Sequence, residues 1–388
     1  MLVPIAALAL LGAACTGDDD ADDEEPELTA DVDDTAIPGT DEVETGDTEP
    51  ADTTAPEDTT DDTVEEVQTG ESILDTVQAN GVVRCGTRDD LPGFASLSPE
   101  GDHVGFDADF CRVIAAAVLG DAEAVEFVDV ETADRFTALQ SGEIDVLVRN
   151  TTWTATRDGQ EGATFLQPTF YDGQGMMVAS DSGFASVSDM DGVIVCVAQG
   201  TTTEGNAAAE AARLGLEWEV RAFEDVELIQ QAFEAGQCDG WSSDVSQLTG
   251  LRSAYPAGPD ALTILPEVFS KEPLAPAVPD GDSRWAQAVD WAILATIQAE
   301  EFGIDSTNVD TFTGSEDPNI QRFLGEIVEG EAVLDPGLGL PTDFGAAVVT
   351  QVGNYGEIFD AHLTPLGLER GVNALWSDGG LQYAPPYR

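Results

Sequence analysis

Basic residues are scarce in this sequence. Across 388 residues Lys271 is the single lysine, and 14 basic residues face 76 acidic ones for a formal net charge of -62. That balance excludes nucleic acid and anionic lipid headgroups as partners, because gripping phosphate requires a basic surface. Histidine is scarce too, with only His103 and His362. No two cysteines stand in a C-x-x-C spacing, so no metal site is expected, and no cofactor motif calls for a cofactor. No run of 18 apolar residues occurs, so no transmembrane helix is expected either.

The apolar run that does exist is short. Val3 to Ala14 ends in the small residues Gly12, Ala13 and Ala14 before Cys15. Spanning a bilayer takes about 20 apolar residues, so residues 1–14 read as an export signal peptide. Leu11 to Cys15 resembles a lipobox, with Gly12 standing where a branched aliphatic is commoner. Cys15 is then the lipid anchor, on the outer face of the cytoplasmic membrane or in the periplasm. With Cys15 set aside, Cys85, Cys111, Cys196 and Cys238 remain, and three pairings stay open. Residues 15–70 are Asp, Glu, Thr and Pro with almost no large apolar side chains, which predicts a disordered acidic tether. Counting Glu71, this stretch takes 24 of the acidic residues and leaves 52 against 14 basic in the remainder. The body is therefore acidic as well, as salt-adapted or simply highly soluble surfaces are.

From Ser72 onward strand and helix signals alternate. Gly81 to Gly86 reads as a strand, Phe106 to Leu119 as an amphipathic helix stopped by Gly120, and Val125 to Val130 as a second strand. Arg135 to Ser141 reads as a helix ended by Gly142, and Ile144 to Val148 as a third strand. The order β-α-β-α-β marks a parallel sheet. The unit then recurs: Ala138 to Asp145 parallels Ala232 to Asp239, each a helix end, a glycine and a strand opening with Asp. Five residues beyond each Asp come Asn150 and Asp244, at equivalent places. The fold class is thus α/β with two lobes, each a mostly parallel sheet flanked by helices. Ligands of open parallel sheets bind beyond the carboxyl ends of the strands, which sets Asn150 and Asp244 across a cleft. Phe170 to Gly175 and Ser270 to Leu274 are the candidate crossovers. The first lobe takes 72–172 and 276–388, with 303–388 as a helical and irregular extension, and the second lobe takes 173–275. Arg284 to Phe302 reads as an amphipathic helix capped by Gly303.

A cleft between two lobes takes a ligand whose charges the facing residues complement. Arg135, Arg149 and Arg157 fall within 23 positions of a chain with few cations, and a guanidinium holds a carboxylate through two parallel hydrogen bonds. In the second half, Val193 to Val197 is a strand leading to Gln199–Thr203 and a helix from Glu204 to Leu214, whose first amides can grip an anion. The Lys of a phosphate loop is absent there. Asp244 supplies an acceptor for a cationic group.

Gly105–Phe110, Asn150–Arg157, Phe170–Gly175 and Ser243–Asp244 together resemble the polar-amino-acid-binding proteins of ABC importers, type II periplasmic binding proteins. The carboxyl stretches Gln351–Glu357 and Gly371–Trp376 are similar to those of the general L-amino-acid binders. The resemblance covers about 72 to 388. It implies a monomer that closes like a clamshell on an L-amino acid, polar, acidic and amide ones favoured, and delivers it to a permease. It also implies roles: Arg157 grips the carboxylate, with Thr152 and the amide of Thr202. The Asn150 carbonyl and Asp244 take the ammonium, Phe94 walls the side-chain pocket, and Arg135 meets an acidic side chain. Closure requires the lobes to move, so a bridge between them would lock the hinge. One disulfide per lobe is therefore expected, Cys85–Cys111 and Cys196–Cys238. Two other readings compete. A dehydratase-type enzyme on this fold needs a general acid or base in the cleft, yet neither histidine falls on a strand-end loop. A receptor's sensory domain needs a membrane span.

Overall fold

A computed structural model describes residues 71–388. The signal peptide, Cys15 and acidic tether expected at 1–70 lie outside the described residues. Two five-stranded sheets organise the described chain. In the first the strands lie in the order Val125–Asp129, Val83–Thr87, Val146–Leu147, Ala277–Pro279, Ala163–Phe165. In the second the order is Glu219–Phe223, Ile194–Ala198, Gly240–Asp244, Gln174–Ala179, Leu262–Ile264.

The two sheets repeat one pattern. The first three strands of each run parallel, and the fourth runs antiparallel to both its neighbours. Both sheets are therefore mixed, which the alternating sequence pattern did not convey. In each sheet the reversed strand is the one arriving through the crossover from the other lobe. Those crossovers, Phe170–Asp172 and Glu272–Leu274, pair antiparallel, with Asp172 directly opposite Glu272.

The repeated Asp has a structural task. Asp145 accepts from the Arg84 amide at 2.8 Å, and Asp239 accepts from the Ile194 amide at 2.8 Å. Each ties the start of one parallel strand to the next. The third strand begins just after Asp145 and covers only Val146–Leu147 instead of 144–148. Asn150 consequently lies three residues past its strand, whereas Asp244 is the last residue of the longer strand Gly240–Asp244.

The helix Phe106–Leu119 starts at Gly105, whose φ of 132° suits only glycine and where an added Cβ would sit 2.2 Å from the Phe94 carbonyl oxygen. It ends at Gly120 in the left-handed region. Phe106, Phe110, Val113 and Ile114 are fully buried, each such side chain contributing about 1.5–3 kcal/mol. Ala115 and Ala116, off the expected stripe, are buried too. The helix lies between the first sheet and two further helices, Ser283–Phe302 and Phe344–Gln351. The carboxyl extension thus packs on the back of the first lobe. It also reaches the crossover: the Asn373 side chain accepts from the Tyr171 amide at 2.7 Å and donates to the Tyr171 carbonyl at 3.0 Å. The Tyr355 hydroxyl donates to the Thr169 carbonyl at 2.8 Å.

Disulfides join Cys85 to Cys111 and Cys196 to Cys238, with Cα separations of 6.0 and 5.8 Å. The first ties a strand of the first sheet to the helix behind it. The second ties a strand of the second sheet to the turn that precedes its neighbour.

Candidate binding cleft

The carboxyl ends of the parallel strands in the two sheets face a common cleft with about 400 Å³ of unfilled space, counting what opens to solvent. Arg88, Arg135, Arg149 and Arg157 line it, each between 3 and 8 % exposed. All four come from the first lobe. Arg88 directly follows the strand Val83–Thr87 and pairs with Asp90 at 2.5 Å. Arg149 donates to the Val130 carbonyl at 2.7 Å and the Thr132 hydroxyl at 3.0 Å. Arg157 sits in a short helix whose cap Thr154 accepts from the Arg157 amide. Its guanidinium donates to the Thr152 carbonyl at 2.8 Å and lies 5.8 Å from the centre of the Phe136 ring. Arg135 approaches the same ring at 5.2 Å. It donates across the cleft to the Gly200 carbonyl at 3.4 Å, and its Nε is buried without a partner among the described residues.

Among the described residues no carboxylate lies within ion-pair distance of Arg135, Arg149 or Arg157. Burial and the neighbouring Arg88 charge push Arg149 down to about 9. Burial, then the guanidinium groups of Arg157, Arg149 and Arg88, push Arg135 well below its ordinary value. These are stored demands for negative charge, since a buried cation is costly until paired.

The second lobe answers with different groups. The helix Thr202–Leu214 points its start at the cleft, and the Thr202 and Thr203 amides have no acceptor among the described residues. The Thr202 hydroxyl is taken by Glu272 at 2.9 Å. Asp244 is only 6 % exposed, and its carboxylate accepts no hydrogen bond from any described residue. Burial first, then the Asp172 and Glu272 charges, raise its carboxyl well above the ordinary range, while Arg157 and Arg135 oppose the rise. Asp172 is pushed up to about 6 by burial. On the facing loop, the Thr152 amide and hydroxyl have no partner among the described residues.

Of the residues singled out from sequence, Arg135, Asn150, Thr152, Arg157, Thr202 and Asp244 share this cleft. Phe94 does not. It is fully buried against Phe106 and Phe170, with ring centres 5.8 and 5.4 Å away, and its carbonyl accepts from the Asp107 amide at the helix start. The chain turns back at Leu91–Phe94 to seat the helix, which draws the ring into the core. Arg88, Thr132 and Gln247 line the cleft instead and were missed. Arg88 was legible, since it is the first residue beyond a strand. Gln247 was not, because nothing in its surroundings separates it from an ordinary helix residue.

The model of the bacterial extracellular solute-binding proteins, family 3, matches residues 83–303. The general L-amino acid-binding periplasmic protein AapJ of Rhizobium johnstonii is 46% identical over 81% of this chain and 92% of its own length. The glutamate/glutamine/aspartate/asparagine-binding protein BztA of Rhodobacter capsulatus is 43% identical over 82% and 94%. Among solved structures, an ABC transporter periplasmic binding protein from Brucella ovis with glutathione bound is similar at 42% identity and a TM-score of 0.79. That likeness covers 82% of this chain and all of that one.

Proposed function

The chain belongs to the bacterial extracellular solute-binding proteins, family 3, and from that premise we propose that its cleft closes on a free L-amino acid and carries it to the permease of an ABC importer. One observation carries this reading: Arg157 and Asp244, contributed by opposite lobes to one cleft, have opposite charges and neither has a charged partner among the described residues. A zwitterion supplies both. Its carboxylate accepts from Arg157, from the amide and hydroxyl of Thr152 and from the amide of Thr202 at the helix start. Its ammonium donates to Asp244 and to the Asn150 carbonyl. The side chain meets Arg135, whose unpartnered Nε favours acidic and amide ligands.

The lobes, 72–172 with 276–388 and 173–275, turn about the paired crossovers. The protein is a monomeric carrier and performs no catalysis. Lipid on Cys15 and the tether hold it outside the cytoplasmic membrane. A thermal-shift screen against the twenty amino acids tests the binding claim. A ligand at a hundredfold excess over Kd stabilises by about 2.7 kcal/mol, and a flat response to all twenty removes the reading.

A further inference from the structure

Asn150 is the one non-glycine among the described residues whose backbone has positive φ, at 29°. Such a conformation is uncommon outside glycine and best tolerated by Asn and Asp, so something holds it. Its amide donates to the buried Asp107 carboxylate at 2.7 Å, in the first turn of the helix Phe106–Leu119. Its side-chain oxygen accepts from Arg88 at 3.2 Å. A guanidinium only donates, so the Asn150 oxygen must face Arg88 and the amide nitrogen must face the other way. There the Gln247 side-chain oxygen accepts from it at 3.1 Å. Gln247 belongs to the helix Val245–Ser253 of the second lobe, and this bond therefore bridges the cleft.

We propose that the Asn150–Gln247 bond is a latch that holds the lobes shut whatever side chain the ligand carries, with Asp107 and Arg88 as the positioning residues that aim it. The inference rests on the reading that the cleft closes on an amino acid. A bond between the lobes exists only in the closed form, so it favours that form equally for every ligand. The ligand is first caught by one lobe and the latch forms after, so its loss is felt in the off-rate.

Stopped-flow dissociation of L-glutamine and of L-glutamate tests this, followed by tryptophan fluorescence on the wild type, Gln247→Ala and Gln247→Glu. Removing one net hydrogen bond should speed release about fivefold, by the same factor for both ligands, with on-rates little changed. Gln247→Glu keeps an oxygen for the Asn150 amide and should return the glutamine off-rate to near the wild-type value, which a general packing defect would not. Unchanged off-rates in Gln247→Ala overturn the latch, as does an effect confined to one ligand or a failure of Gln247→Glu to rescue. A wild type that responds to none of the twenty amino acids overturns the function reading and the latch together, and is recognised because it needs no variant; if it responds to others, its two tightest ligands replace the probes.

Discussion

The two lobes bring unlike chemistry to the same cleft although they share one sheet pattern. The first contributes four buried guanidinium groups and the second a carboxylate, a helix start and a glutamine. In a chain with 14 basic residues, that concentration of cations is the sharpest departure from the acidic body. It teaches how an α/β scaffold is made selective. The shared pattern aims strand ends at one place, and the residues just past those ends divide the charges so that neither lobe satisfies the other fully. Arg157 and Arg135 are buried without an ion-paired anion among the described residues, while Asp244 is crowded by Asp172 and Glu272.

The contrast can be broken from either side. Arg157→Ala should have the largest effect, lowering affinity about a hundredfold or more for every ligand, since about 1.5–3 kcal/mol is lost per charged hydrogen bond; titration calorimetry with L-glutamine and L-glutamate checks it. Asp244→Asn, from the opposite lobe, should weaken all ligands by about thirtyfold, because the ammonium keeps an acceptor but loses its counter-charge. Gly250→Ala tests closure alone: the added Cβ would meet the Pro92 carbonyl oxygen of the first lobe at 2.4 Å, and affinity should fall about tenfold without any change in ligand preference. Arg135→Ala should cost about tenfold for acidic and amide ligands only, which the same calorimetry resolves.

The smallest effect is on stability against pH. Asp172 and Asp107 titrate near 6 when folded, above their ordinary value of 3.8. The folded state therefore holds those protons more tightly, so their stabilising contribution is full below pH 4 and is lost as pH rises through about 6. The melting temperature of the ligand-free protein should fall by a few degrees over that window. Asp172→Asn should flatten the fall, and an equally steep curve in that variant would exclude Asp172 as its source.

Much of the architecture was written in short stretches of sequence. Gly105, Gly120, Gly142 and Gly303 punctuate helices where left-handed or otherwise unusual backbone is required, and the strand-end rule located Asn150 and Asp244. The direction of the fourth strand in each sheet was hidden, because pairing with segments far along the chain leaves no local mark. Phe94 misled for a related reason. An aromatic in the loop after a strand fits a pocket wall as well as a core, and only the seat of the following helix decides. Four guanidinium groups meeting in space likewise require the fold, since Arg88 lies far in sequence from the other three.

The two-ended bond between Asn373 and the Tyr171 backbone has a mechanical corollary. A strand with a neighbour on one side and a clamp on the other has no free edge, so its middle residue is welded to the heavier body. A swing of the second lobe would have to be taken up beyond that weld, past Asp172, where the strand ends. The carboxyl extension, which lines no part of the cleft, in this way fastens one of the two crossovers from outside.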